Sequence, residues 1–347
     1  MSLLTSLISH QIWLQRTASG EVKDLAPFIR EMRDEIKQQV LLFGDDGRST
    51  ARLNKLLRDL EEALTGLTGD WQTKLTEDLK ELAAYEAEWN VKTLTTNVNA
   101  EFVTPTAEQV WAAAEFQPLS LSDKPVDFTK LMSGWGETEV SRLVTGVKMG
   151  FVQGQTTRQI VKNVVGAGGL ADISERNAAT VIRTALSHIS NEARNETYRQ
   201  NDDIIEKYEW VSTLDSRTST ICRARDGMTW EIGKGPMPPA HPNCRSTTAP
   251  VISSEFDFLD KGAKRTAKGA NGGTQVSADT TYYEFLKQQP AWFQDQALGP
   301  VRGKIFRNSG ISPEEFRVIS VDGFGNPLTL KQMAELDKRV ADYLKGE

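Results

Sequence analysis

The segment that decides the fold runs from residue 208 to residue 250 and reads YEWVSTLDSRTSTICRARDGMTWEIGKGPMPPAHPNCRSTTAP. It contains both cysteines of the protein, Cys222 and Cys244, and one of its three histidines, His241. When a rare residue type is used twice within a short distance, it indicates a local role such as a metal site or a disulfide. This segment, called the Cys/His segment below, is therefore the strongest candidate for a site.

The Cys/His segment has the residue pattern of short strands joined by turns. Residues 208–211 are rich in aromatic and β-branched side chains, which are typical of a buried strand. Asp226-Gly227 predicts a hairpin turn that leads into a further strand. The Gly- and Pro-rich residues 233–242 predict an irregular loop, and residues 245–252 return to strand-forming types. We expect a small β-rich knot with a long loop beside it.

Three side chains of this segment, Cys222, His241 and Cys244, are of the type that zinc prefers as ligands. The fourth ligand of a tetrahedral site could be Asp215, Asp226 or water. A disulfide between the two cysteines is a second interpretation, worth about 3 kcal/mol for a loop of this size. A third is that both thiols are free and pack as small apolar groups. The sequence leaves the three open.

The same segment is similar to the signature of the phage Mu F-type minor head proteins, a head morphogenesis family of tailed phages. The family pattern runs Y-x-W-x-x-x-x-D-x-R-T, then a Cys-x-x-Cys pair, a Gly, and P-P-x-H-P-N-C-R. The matching positions here are Tyr208, Trp210, Asp215, Arg217, Thr218, Cys222, Gly227, Pro238, Pro239, His241, Pro242, Asn243, Cys244 and Arg245. Ser219 stands where the family pattern has the first cysteine of the pair. The resemblance extends over about residues 138–252 and includes the helix predicted over 178–198.

The resemblance implies a structural virion protein rather than an enzyme. Such a minor head (capsid) protein is made in the bacterial host cytoplasm and lies inside the phage head near the portal vertex, with several copies around the portal. Its implied partners are the portal protein, the major capsid protein or scaffold, and packaged double-stranded DNA held weakly and without sequence preference. Its implied role is head morphogenesis, with help in DNA packaging or ejection. The family-motif positions expected to be structural are Tyr208, Trp210, Asp215, Arg217, Gly227, Pro239, Asn243 and Arg245.

The rest of the chain has the pattern of amphipathic helices. Apolar residues recur at helical spacing over residues 24–43, from Ser49 to about residue 64, and over 70–97, and three such helices in succession predict an antiparallel bundle. An apolar stretch over residues 3–14 is compatible with an anchor on another subunit or with packing on the chain's own core. The predicted fold is mainly α with a small β-rich knot, an α+β arrangement.

A length of 347 residues predicts two or three domains. We place an elongated N-terminal helical bundle, a candidate portal- or capsid-anchoring region, at 1–120 and the Mu F-like domain with the Cys/His segment at 121–253. A flexible basic linker is expected at 254–280 and a C-terminal helical segment at 281–347. The linker is predicted from its Gly, Ser, Thr and Lys content.

Four basic residues of the predicted linker are candidates for contact with DNA. They are Lys261, Lys264, Arg265 and Lys268. Basic side chains on an extended segment neutralise phosphates without reading sequence, although a solvated linker has the same composition. The net charge of −6 opposes a strong duplex binder, so DNA contact is expected only through local patches.

Other function classes find little support in the sequence. It has no phosphate loop and no dinucleotide fingerprint, and no apolar stretch long enough for a membrane span. The start of the chain does not resemble a signal peptide, and two cysteines fit a reducing compartment. The alternative is a metal-dependent nuclease or related hydrolase built on the three Cys/His ligands with Asp215 and Asp226.

Overall fold

The computed structural model describes residues 2–45, 49–119, 121, 125–252 and 262–346. Helices make up 66% of it, which confirms the predicted mainly α fold with a small β part. The helices are α1 (Leu3–Asp24), α2 (Ala26–Phe43), α3 (Thr50–Val98), α4 (Ala107–Phe116), α5 (Phe128–Val152), α6 (Thr157–Val165), α7 (Leu170–Arg199), α8 (Thr220–Arg225), α9 (Tyr282–Lys287), α10 (Ala291–Leu298), α11 (Pro300–Asn308), α12 (Pro313–Ser320), α13 (Leu330–Leu336) and α14 (Lys338–Gly346). The strands are β1 (Ile205–Val211), β2 (Thr229–Glu231), β3 (Thr247–Ile252), β4 (Lys264–Gly269) and β5 (Gly272–Ser277).

One apolar core joins α1 through α7, and α7 packs against α1, α3, α4 and α5 within it. The core follows the apolar stripe of each helix, because isolated amphipathic helices are stable only when that stripe is buried. The boundary predicted after residue 120 falls between two helices that share this core. None of the helices in the described part of the chain has the length and apolar character needed to span a bilayer.

The two helices predicted on either side of residue 70 are one helix, α3. Ser49 caps it as predicted, since its hydroxyl accepts a hydrogen bond from the Arg52 backbone N–H. The helix continues through Gly66 and Gly69 although each glycine costs about 1 kcal/mol relative to alanine. Burial of a continuous stripe outweighs this cost. That stripe includes Leu60, Leu64, Thr68, Trp71, Leu75 and Leu79.

The apolar N-terminal stretch packs on the chain's own core. Leu7 of α1 contacts Val211 and Ala249 of the sheet, and Leu14 lies in the bundle core. His10 of α1 stacks on Trp89, with 3.6 Å between ring centroids. Of the two interpretations of this stretch, intramolecular packing is the one observed, and α1 ties the bundle to the sheet.

The segment predicted as a flexible linker contains a β-hairpin instead. Strands β4 and β5 pair in antiparallel register from Lys264 opposite Ser277 to Gly269 opposite Gly272. The hairpin is held because Arg265 and Ala267 point inward and are buried, while Lys264 and Lys268 point to solvent. Composition suggested a linker, but the alternation of buried and exposed positions is that of a half-buried strand.

The C-terminal helices α9 to α14 form a second apolar core that also takes up Leu214 and Ala267. Its largest buried side chains include Tyr282, Tyr283, Phe285, Phe306 and Phe316. The single helix predicted over about 330–344 is divided at Asp337, whose backbone is extended, into α13 and α14. The C-terminal core therefore packs directly on the Cys/His segment.

Helix α7 buries an unusual number of polar side chains. Ser190 donates to a Glu86 carboxylate oxygen at 2.8 Å, and His188 bonds the Ala114 carbonyl at 2.7 Å. Burial lowers the pKa of His188 to about 4. Glu192 is also buried, with one amide hydrogen bond from Asn195 at 3.2 Å, and burial raises the pKa of Glu192 to about 7.

Replacing Glu192 with glutamine is expected to stabilise the protein at pH 8 by about 2 to 3 kcal/mol. The pKa of Glu192 is raised in the folded state, so folding favours its protonated form, and that contribution is lost as pH rises from 4.5 to about 7. At pH 4 the variant and the parent protein should unfold alike. Urea unfolding across this pH range measures the difference. A difference that does not depend on pH would contradict the assignment.

Candidate functional site

The Cys/His segment is built around a three-stranded antiparallel sheet in the order β2-β1-β3. Tyr208 lies opposite Trp230 on one side, and Trp210 lies opposite Thr248 on the other. Tyr208 and Trp210 are fully buried. Between β1 and β2 the chain forms the short helix α8, where the sequence predicted only a hairpin turn. The capped first turn of α8 brings Cys222 beside the loop that carries His241 and Cys244.

The aromatic motif residues close this small core through hydrogen bonds as well as packing. The Tyr208 hydroxyl donates to the Pro236 carbonyl at 3.2 Å, and the Trp210 indole N–H donates to the Ser212 hydroxyl at 3.0 Å. Gly227 donates its N–H to the Trp210 carbonyl at 2.9 Å. Its φ of 78° lies in the left-handed region, where glycine has no steric penalty. Tyr208, Trp210 and Gly227 therefore stabilise the fold of the Cys/His segment.

Asp215 is paired with Arg245 and does not face the cysteines. The guanidinium donates two hydrogen bonds to the two carboxylate oxygens, at 2.6 and 2.8 Å. Burial alone would raise the pKa of Asp215, but these bonds outweigh it and hold the pKa below its usual value. Arg217 lies 3.7 Å from the same carboxylate and is exposed. Bidentate pairs of this kind fix geometry, so Asp215 and Arg245 fasten the turn after β1 to the end of the loop.

Cys222, His241 and Cys244 come together as one cluster with their ligand atoms within 4.8 Å of one another. The two sulfur atoms are 3.7 Å apart, and the Cys222 sulfur lies 3.2 Å from His241 Nε2. Both cysteines are buried and free. His241 Nδ1 donates to the Pro242 carbonyl at 2.9 Å, which turns Nε2 toward the two sulfurs. A backbone carbonyl on the other ring nitrogen is the usual support of a metal-binding histidine.

The electrostatics of the cluster favour one ionised sulfur. Burial alone raises the pKa of the Cys244 thiol, but bonds with Cys222 and His241 outweigh it and hold that pKa well below its ordinary value. The pKa of the Cys222 thiol is raised well above its ordinary value, first by the bond with Cys244 and then by burial. Burial lowers the pKa of His241, but its bond with Cys244 reverses the direction and raises it. The lowered pKa of Cys244 favours the thiolate, the form in which sulfur binds a metal.

The cluster fits three ligands of a tetrahedral zinc site. A Zn–S distance of about 2.3 Å corresponds to sulfur atoms about 3.8 Å apart, close to the observed 3.7 Å. Within the described residues no fourth His, Cys, Asp or Glu joins the group. Ser219 caps α8, accepting a hydrogen bond from the Cys222 N–H at 3.4 Å, and lines a small cavity of about 40 Å³ with Cys222 and His241. If a metal binds, its fourth ligand would be Ser219 or water.

Neither carboxylate considered as a fourth ligand reaches the cluster. Asp215 is held by Arg245, and Asp226 is held by Arg265 in a fully buried ion pair at 2.9 Å. The ligand set on which a metal-dependent nuclease would rest is therefore not assembled by the described residues. The three soft side chains singled out in the sequence lie together in the structure, whereas Asp215 lies with Arg245 and not with them.

The loop that carries His241 and Cys244 is anchored on α7 by Asn243. Its backbone N–H donates to the Thr184 hydroxyl at 3.1 Å, and its side-chain amide donates to the Thr180 hydroxyl at 3.2 Å. Asn243 has a φ of 58°, a left-handed conformation that asparagine adopts more readily than most residues. Pro239, in the same loop, is buried. The bundle thus directly positions the loop that carries His241 and Cys244.

Replacing Asn243 with alanine is expected to lower the free energy of unfolding by about 1 to 2 kcal/mol. Alanine would keep the strained φ and lose the side-chain bond to α7. Asn243→Gly should cost less, since glycine loses the bond but removes the strain. Thermal unfolding of both variants provides the measurement. Equal losses in the two variants would show that backbone conformation is not part of the effect.

The four basic residues expected to contact DNA have different surroundings. Lys264 and Lys268 are exposed on β4, and Lys261 lies outside the described residues. Arg265 is 1% exposed, and its guanidinium donates to Asp226 and to the Ser212 and Thr280 carbonyls. A side chain enclosed in this way cannot reach a phosphate, so Arg265 is a structural residue. The expectation was wrong for Arg265 because a basic composition does not show which face of a strand is buried.

Part of the chain matches the sequence pattern of a class of proteins, the head morphogenesis proteins of tailed phages. In particular, residues 141–249 match the family described as phage Mu protein F like protein, which confirms the resemblance over that region. The matched range includes α7 and nearly all of the Cys/His segment. Comparison with curated proteins and with solved structures finds no match.

Proposed function

We propose that this protein is a structural minor head protein that acts at the portal vertex inside the phage head. The observation that supports this most directly is the family match over residues 141–249, since that family works in phage head morphogenesis. Within this range Asn243 fastens the loop of the Cys/His segment to α7. Leu7 of α1, which lies before the range, packs on the sheet. A rigid, tightly packed body of this type suits an assembly role.

The proposed partners are the portal protein and either the major capsid protein or the scaffold, with several copies of the chain around the portal. Weak, sequence-independent contact with packaged double-stranded DNA is part of the proposal, with Lys264 and Lys268 as its exposed basic side chains on β4. Through these contacts the protein would assist DNA packaging or ejection. It is proposed to be made in the host cytoplasm and to enter the head during assembly.

A deletion of the coding sequence from the phage genome tests this function. Particles made without the protein are expected to have incomplete or poorly filled heads and reduced infectivity, and the chain should cross-link to the portal protein in complete virions. Supplying the parent protein in trans should restore the particles. Intact heads with normal infectivity after deletion would contradict the proposal.

We also propose that a structural zinc ion is held by Cys222, His241 and Cys244. Zinc would link α8 to the end of the Pro-rich loop, and its binding energy would add to the stability of the segment. The proposal is supported by the sulfur spacing, by the carbonyl on His241 Nδ1 and by the thiolate character of Cys244. No catalytic role is proposed for the ion, because Arg245 and Arg265 hold the carboxylates of Asp215 and Asp226 away from a role as general base.

A further inference from the structure

A cavity of about 1040 Å³ lies between the Cys/His segment and the C-terminal helices. Its first wall is formed by α8, the turn before it and residues 240–241 of the Pro-rich loop. Its second wall is formed by Tyr283 of α9, by residues of α10, α11 and α12, and by the loop after α12. Of the three residues of the metal cluster, His241 reaches this lining. It is of the size that proteins use for small-molecule ligands.

Four arginines line this cavity: Arg217, Arg223, Arg225 and Arg302. None of the described residues that line it is an aspartate or a glutamate. Arg217 has only the Asp215 carboxylate nearby, at 3.7 Å, and both oxygens of that carboxylate are already bonded to Arg245. The cavity therefore carries an excess of positive charge.

The two arginines of α8 have aromatic rings as neighbours in place of carboxylates. Arg223 lies 5.2 Å from the centre of the Tyr282 ring, and Arg225 lies 5.1 Å from that of Trp210. Within the described residues neither guanidinium has an ion-pair partner. Burial lowers the pKa of Arg225, which shows the cost of keeping this charge away from water. An anion in the cavity would offset that cost.

Hydrogen-bond donors at the cavity wall are also without partners. Arg223 is 6% exposed, and its Nε has no partner within the described residues. Arg225 Nη1 likewise has no partner in the described part of the chain. Buried polar groups without partners are rare and call for an explanation, such as a ligand. Both arginines line the cavity from α8.

The walls are held in place by a close contact at Gly325, which has a φ of 89°. A Cβ at this position would lie 2.8 Å from the Ile221 side chain of α8, so the loop after α12 can approach α8 only with glycine here. Phe324, beside it, is 85% exposed at the cavity edge. An aromatic side chain at the edge of an arginine-lined cavity suits a ligand that carries both a planar ring and negative charge.

We propose that this cavity, called the arginine cleft, binds a phosphate-bearing ligand of nucleotide size. Guanidinium groups bind phosphate through paired hydrogen bonds, and the unpaired guanidinium donors of Arg223 and Arg225 would complete the contacts. A free nucleotide and one nucleotide of a single strand share this chemistry. Duplex DNA is not expected to enter the cleft, because its bases are enclosed in a helix whose major groove alone is about 12 Å wide. The inference goes beyond the proposed head function and does not depend on it.

Binding to the full-length protein tests the proposal, with pyrophosphate, dAMP, a short single-stranded oligonucleotide and a duplex of the same sequence as probes. Calorimetry on the first two and fluorescence anisotropy on the others measure affinity. At least one of the first three probes should bind. Arg217→Gln and Arg302→Gln should each weaken that binding about 10-fold or more, the effect of one charge-assisted hydrogen bond. Arg217 is exposed, so its variant should fold.

Arg158→Gln on α6 is the matched control, because it removes the same charge from an exposed position outside the cleft. It should leave affinity unchanged within about twofold. Binding of dAMP or pyrophosphate would identify a free nucleotide as the ligand, and binding of the oligonucleotide alone would identify a strand. Binding of the duplex alone, no binding of any probe, or equal affinity in the cleft variants and the control would each overturn the proposal.

Discussion

Replacing Arg265 with alanine is expected to lower the free energy of unfolding by about 3 to 5 kcal/mol. Arg265 and Asp226 form an ion pair at 2.9 Å, with side chains 2% and 0% exposed. The same guanidinium donates to the Ser212 carbonyl at 2.6 Å and to the Thr280 carbonyl at 3.0 Å. Without it the Asp226 carboxylate would be a buried charge with only the Ser212 N–H as a hydrogen-bond partner. The expected loss of stability comes mainly from leaving the Asp226 carboxylate buried without its arginine, and not from the net strength of the ion pair.

Lys268→Ala provides the matched control, since Lys268 lies on the same strand with its side chain in solvent. It should change stability by less than about 0.5 kcal/mol. The double variant Arg265→Met with Asp226→Leu should recover much of the lost stability, because a buried pair can often be replaced by apolar groups of similar size. Urea unfolding of all three variants measures these values. If Arg265→Ala lowers the free energy of unfolding by no more than Lys268→Ala does, the pair of Arg265 and Asp226 does not hold the hairpin to the Cys/His segment.

Arg265 also shows where composition stops being informative. The stretch 254–280 has the residues of a linker, and a period of two in its basic and small residues is too weak to predict a strand. Asp226, the partner of Arg265, lies 39 residues earlier in the chain. Such a pairing exists only once α8 and the hairpin are folded against each other. The same holds for Asp215, whose bond to Arg245 spans 30 residues.

The features that could be predicted from the sequence are those with local causes or a shared motif. The stripes of the bundle helices, the cap at Ser49 and the grouping of Cys222, His241 and Cys244 are of this kind. The arginine cleft was not predicted, because most of its second wall comes from residues about 70 to 100 positions after α8. The run Arg223-Ala-Arg225 within α8 was the available signal, since two basic residues close to buried aromatics require a reason.

Zinc is expected to stabilise this protein, and Ser219→Cys is expected to make that effect larger. Ser219 holds the position where the family pattern has a cysteine, and it caps α8 beside Cys222. A cysteine here would supply a fourth ligand and keep the two sulfurs three residues apart on one turn, as in zinc knuckles. We expect zinc to bind about 10- to 100-fold more tightly, which adds about 1.4 to 2.7 kcal/mol of stability at the same free zinc.

His241→Ala is the matching loss-of-function variant. With zinc present it should cost several kcal/mol, because metal-binding energy is also folding energy. After removal of zinc by a chelator the same substitution should cost only about 1 to 2 kcal/mol from lost contacts and one hydrogen bond. Thermal unfolding with and without chelator, together with elemental analysis and free-thiol counting, provides the measurement. If zinc changes the stability of neither the parent protein nor Ser219→Cys, then the cluster is held by packing, because a third sulfur on the right turn would otherwise have completed the site as its fourth ligand.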